Sequence, residues 1–86
     1  MPEISRFFGI VITMYHDDHG PPHFHARSGE HRLRVRLTPV AILDGHFPPR
    51  LLALVLEWST LHEAALLANR HRIEAGERPL RIPPLE

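Results

Sequence analysis

The residues richest in chemistry lie between positions 16 and 36: His16, Asp17, Asp18, His19, His23 and His25, then Arg32, Arg34 and Arg36. Imidazole and carboxylate are good ligands for zinc, nickel or copper. In an extended chain His23 and His25 point to the same side with Cα atoms about 7 Å apart, a spacing that chelates one ion. His19 would supply a third ligand and Asp17 a fourth, so a divalent transition metal is the one cofactor these residues suggest. The plainer reading makes them partly solvated turn and strand residues. The arginines offer different chemistry. At i, i+2 and i+4 on a strand they form a stripe about 13–14 Å long, and guanidinium forks match phosphate or carboxylate bidentately. With His23 and His25 on the same face, one imidazole could serve as base and the other as acid while Arg32 and Arg34 stabilise a phosphorane. That would be a small ribonuclease. Without catalysis, the stripe suits a nucleic-acid backbone or the acidic surface of a protein. Its plainest reading is a solvated strand face on which arginine discourages edge aggregation.

Composition narrows the classes. The chain has 86 residues, ten basic and ten acidic, with eight histidines, no cysteine and zero formal charge; every basic residue is an arginine. This length gives one domain, residues 1–86, with a thin core. Lack of cysteine excludes a disulfide framework, a thiolate zinc site and a thiol nucleophile. Neutrality argues against a polyanion binder that is basic over its whole surface, but leaves room for a local stripe. The apolar runs at residues 10–12 and 51–56 fall short of the roughly 20 residues a membrane span needs. The N-terminus has no cationic stretch followed by an apolar one, so no signal peptide is expected. The expectation is a cytoplasmic protein with no membrane contact.

These side chains must be positioned by a few elements. Residues 5–15 are rich in aromatic and β-branched types and read as one strand, with Phe8, Ile10, Ile12 and Met14 facing the core. Residues 16–22 read as a turn. From Leu33 to Leu37, apolar and arginine positions alternate strictly, which means a half-buried strand. Ser28-Gly29 reads as the hairpin loop before it, pairing Arg27 with Glu30, His25 with Arg32, Phe24 with Leu33 and His23 with Arg34. That register puts the histidines on the arginine face. Pro39 ends the strand, and residues 40–43 form a short further one before an Asp44-Gly45 turn. Pro48-Pro49 opens a helix over about 48–75, where proline is tolerated in the first turn, and Gly76 stops it. The tail, residues 77–86, is extended because its prolines forbid helix. The fold class is therefore α+β: a mainly antiparallel three- or four-stranded sheet over about 5–44, packed on one long helix.

Leu51, Leu52, Val55, Trp58, Leu66 and Ile73 share one helical stripe, with Glu57, Thr60 and Ala64 opposite. Trp58 and His62 are expected in the core, His62 with its ring nitrogens bonded internally. A functional His62 would need a cleft with Tyr15 or Glu63 beside it. Because the stripe packs on the sheet's apolar face, His62 cannot meet His23 and His25 within one monomer. Leu80, Ile82 and Leu85 either dock on the domain, the favoured outcome, or lie in a partner's groove. A half-covered sheet also leaves a homodimer open.

The start Pro2-Glu3-Ile4-Ser5-Arg6-Phe7-Phe8-Gly9-Ile10, the block Pro21-Pro22-His23-Phe24-His25-Ala26, Leu56-Glu57-Trp58 with His62, and the closing Ile82-Pro83-Pro84-Leu85 resemble a small bacterial family, the domain-of-unknown-function family numbered 4160. The likeness covers nearly the whole chain, and its Pro-Pro-His-Phe-His block is the most specific part. Members often sit in genomes beside a second small family of unknown function, numbered 2442, in an arrangement resembling toxin–antitoxin pairs. The resemblance implies a small protein partner encoded nearby, and no catalytic residues.

Overall fold

Phe8 and Gly9 both have positive φ, 49° and 77°, and that fixes how the N-terminal segment folds. Two consecutive positive-φ residues make the two-residue hairpin turn whose twist matches the flanking strands. Residues 5–15 are therefore not one strand but part of a hairpin. The computed structural model describes residues 3–15 and 20–86. Within them the chain forms β1 (Glu3–Phe7), β2 (Ile10–Thr13), β3 (His23–Ser28), β4 (His31–Leu37), β5 (Val40–His46), α1 (Pro49–Leu61) and α2 (Glu63–Glu74). The strands make one antiparallel five-stranded sheet in chain order. The α+β class stands, with five strands and two helices in place of three or four strands and one long helix.

The central hairpin turns at Gly29-Glu30 rather than Ser28-Gly29. Gly29 has φ 57°, which a glycine at the first turn position adopts without steric cost. The pairs are Ser28 with His31, Arg27 with Arg32, Ala26 with Leu33, His25 with Arg34, Phe24 with Val35 and His23 with Arg36. The Asp44-Gly45 pair, expected as a turn, lies inside β5. There the register skips Leu43, with Arg34 opposite Asp44 and Val35 opposite Ile42. A bulge of this kind lets one strand carry an extra residue. Gly45, at φ 94°, sits so close to β4 that an added Cβ would strike the Arg32 carbonyl and lie 2.8 Å from Leu33 Cα.

One face of the sheet meets the helices. Ile10, Ile12, Met14, Phe24, Ala26, Leu33, Val35 and Leu37 pack there against Val55, Trp58, Leu66 and Ile73. Phe8, expected among the core residues, is 59% exposed at the turn tip, while Phe7 is buried against Trp58 with ring centroids 5.4 Å apart. The expected single helix bends by 77° at His62. Thr60 contributes to the break: its hydroxyl donates back to the Leu56 carbonyl at 2.9 Å, a bond that competes with regular helix and bends it. The bend lets α1 pack near β5 while α2 reaches β4. His62 caps both helices and is half-buried against the Trp58 ring, 5.6 Å between centroids. The cap position lifts it out of the core in which the continuous helical wheel places it. No single described helix is long and apolar enough to cross a membrane.

α2 ends as expected at Gly76, φ 79°. The Gly76 amide donates to the Ile73 carbonyl and the Glu77 amide to that of Arg72, the paired bonds of a Schellman stop. The extended tail then returns across the helices to the first strand. Asn69 holds it at Leu80: its amide nitrogen donates to the Leu80 carbonyl at 2.8 Å, and its oxygen accepts from the Leu80 amide at 2.7 Å. Trp58 Nε1 donates to the Pro83 carbonyl at 2.9 Å, and the Ile82 amide donates to the Ile4 carbonyl at 2.8 Å. Ile82 and Leu85 are buried.

Candidate functional site

The sheet's other face is built by the alternate residues of the same strands. Register sets them in rows across the sheet. Val11, Arg27, Arg32 and His46 form one row, and Thr13, His25, Arg34 and Asp44 the next. A third row joins His23, Arg36 and Ala41. Because Phe24 packs on Trp58, its neighbours His23 and His25 face away from the helices and from His62. The separation of His62 from the histidine–arginine face follows directly.

A cleft of about 240 Å³ opens on this face. Arg27, Arg32, Arg34, His25, Tyr15 and Asp44 give it its polar lining, while Val11 supplies apolar surface. The close approach of Gly45 to β4 forms part of its wall. Tyr15 stands edge-on to the His25 ring with centroids 4.8 Å apart, so it belongs with His25 rather than with His62. Glu63, the other group considered for His62, is exposed at the start of α2.

The arginines of this face differ in what they are doing. Arg34 Nε donates to both oxygens of Asp44 at 3.0 Å, and Nη2 donates to Oδ2 as well. That contact holds the Asp44 carboxyl below its ordinary value, helped by the positive charge of Arg34 and by His25 and His23. Arg36 Nε donates to the Pro39 carbonyl at 3.0 Å and does not line the cleft. Arg27 and Arg32 are both exposed, lie directly opposite each other on β3 and β4, and make no hydrogen bond or ion pair among the described residues. Like charges facing across strands repel. These two guanidinium groups are the cleft's available anion donors.

The two histidines differ in burial and in access to the cleft. His23 is 2% exposed, its Nδ1 donating to the Pro21 carbonyl at 2.8 Å, and it is absent from the cleft lining. His25 is half-buried in the cleft wall. Their rings are 5.2 Å apart between centroids, yet only His25 reaches the cleft, so the two-imidazole acid–base arrangement has one accessible member. Positions 16–19, which carry His16, Asp17, Asp18 and the candidate ligand His19, lie outside the described residues. Among the described residues no group of three histidine or carboxylate side chains is placed to hold a metal ion. Arg27 is the residue that sequence reasoning missed. Its signal was present, since the parity of His23 and His25 continues to it. Asp44 was hidden by the turn-like look of Asp44-Gly45.

A meander sheet with helices on one face and a polar cleft on the other defines this as a small α+β domain. The model of the family described as domain of unknown function (DUF4160) matches residues 9–70, from the turn before β2 into α2. The chain belongs to that family. No curated protein matches it, and no solved structure does.

Proposed function

We propose that this chain is a protein-interaction module, one component of a toxin–antitoxin-like pair working in the cytoplasm, and that its uncovered sheet face receives an acidic segment of the partner. The observation carrying this reading is the facing pair Arg27 and Arg32, unneutralised at the mouth of the cleft. Edge protection does not account for it, because β3 and β4 are interior strands of the sheet. The tail is occupied within the chain, hydrogen-bonded to Asn69, Trp58 and Ile4, which leaves the sheet face as the surface for a companion. The likeness of the genomic arrangement to toxin–antitoxin pairs supports a protein companion.

An acidic protein segment fits better than a nucleic-acid backbone. A polyanion calls for a continuous basic track. Here Arg34 is engaged by Asp44, Arg36 is turned to Pro39, and Asp44 adds a negative charge to the same face. Phe8, 59% exposed, stands at the same end of the sheet as the Arg27–Arg32 row and offers an aromatic contact beside it. The test is co-expression with the neighbouring protein of the family numbered 2442. The two should elute as one complex, and Arg27→Glu should dissolve it while the module stays folded. Separate elution of the wild-type proteins, or an intact complex with Arg27→Glu, would contradict the reading.

A further inference from the structure

We infer that the cleft contains a subsite for a dianionic phosphate monoester, formed by Arg27 and Arg32 with His25 at its wall. This deepens the interaction reading, resting on the same surface, by naming the anion for which the surface is built. Two guanidinium groups sit opposite each other with no carboxylate between them among the described residues. A single carboxylate brings one charge and two acceptor oxygens in a plane, so it neutralises one arginine and leaves the other repelled. A phosphate monoester brings close to two charges at neutral pH and three acceptor oxygens on a tetrahedron. Each arginine can then engage two of the three oxygens, one of them shared between the two forks, in the bidentate manner that guanidinium favours.

The rest of the cleft agrees in size and polarity. About 240 Å³ has room for a phosphate with a small attached group, the tip of one side chain rather than the whole of a segment lying across the face. Val11, half-buried and directly opposite Arg27, supplies apolar surface for that group. The Arg34–Asp44 pair is already closed by its own bonds. It forms part of the cleft lining and holds the Asp44 carboxylate on Arg34 rather than on the facing arginines. A phosphorylated side chain and a free small phosphate ester share this chemistry.

The isolated full-length chain is titrated by NMR with phenyl phosphate, inorganic phosphate, benzoate and the methyl diester of phenyl phosphate, which keeps the tetrahedron but carries one charge. Phenyl phosphate should bind at least about tenfold more tightly than benzoate or the diester, with amide shifts centred on Val11, Arg27 and Arg32. Arg27→Gln with Arg32→Gln should remove the binding, while Arg36→Gln, outside the cleft, should leave it unchanged. Equal binding of monoester, diester and benzoate would overturn the inference, as would binding that survives the double substitution. A phosphoserine peptide binding more tightly than phenyl phosphate assigns the site to a phosphorylated partner; the reverse order assigns it to a free ester. No partner is present in the titration, so its failure leaves the co-elution result standing, and failure of co-elution leaves the titration standing.

Discussion

At the scale of single residues, the chain carries two features that cost it stability. Arg27 faces Arg32 across the central strands, and like charges so placed are destabilising by up to roughly 1 kcal/mol. Arg27→Glu should therefore stabilise the free chain by about 0.5 kcal/mol through an opposite-charge pair, read as a higher urea midpoint. Phe8 is the second feature: a bulky, exposed residue at φ 49°, where the left-handed conformation costs about 1 kcal/mol or more. Phe8→Asn, which suits this turn, should raise stability by about 1 kcal/mol in the same melt and weaken partner binding. A third prediction concerns acid. Asp44 and Glu3 both have carboxyls held below their ordinary values, Asp44 chiefly by its hydrogen bonds from Arg34 and Glu3 chiefly by that from Arg6, with Arg81 of the tail adding to it. A lowered folded-state value means stability that is fully present above the unfolded value, about 3.9 for aspartate, and lost as pH falls through the folded one. The melting temperature should therefore fall as the pH drops from about 5 to 2 in the wild type, and fall less steeply in Asp44→Asn.

At the scale of elements, the central hairpin shows what pattern alone can place. Alternation in Leu33, Val35 and Leu37 fixes the strand and its faces. The loop moves from Ser28-Gly29 to Gly29-Glu30, which shifts the pairing by two residues. A shift of two preserves every face, whereas a shift of one would have reversed them. The histidine–arginine face is thus legible in the sequence, but its neighbours are not, and the Arg27–Arg32 juxtaposition appears only in the correct register. The turn at Phe8-Gly9 was hidden because phenylalanine is a strand former, and the helix break because apolar spacing carries across His62. The tail's anchor was equally hidden, since an asparagine in a helix announces no partner. Asn69, 1% exposed, mimics a backbone ladder at Leu80. Asn69→Ala should cost about 1–3 kcal/mol by removing both hydrogen bonds to the Leu80 backbone, and hydrogen exchange should show the Leu80 amide losing protection. Unchanged protection at Leu80 would mean the tail is held by Trp58 and Ile4 alone.

At the scale of the whole molecule, zero formal charge conceals an uneven distribution. The helices and the returning tail enclose the core on one side of the sheet, and the tail's bond to Ile4 covers the β1 edge. The opposite face is left with the cleft and its unneutralised arginines. A chain this small gains little core from 86 residues, so a repulsive pair on interior strands is a cost to its fold, and the proposed binding role is what would offset it. The most direct test is the affinity of the co-expressed partner for wild type and Arg27→Glu, measured beside their stabilities. Removing one member of a desolvated charge contact costs about 2 kcal/mol or more, roughly thirtyfold in affinity. The variant should therefore bind at least that much more weakly while melting no lower than the wild type. Equal affinity of the two, with both folded, would contradict the assignment of this face as the binding surface.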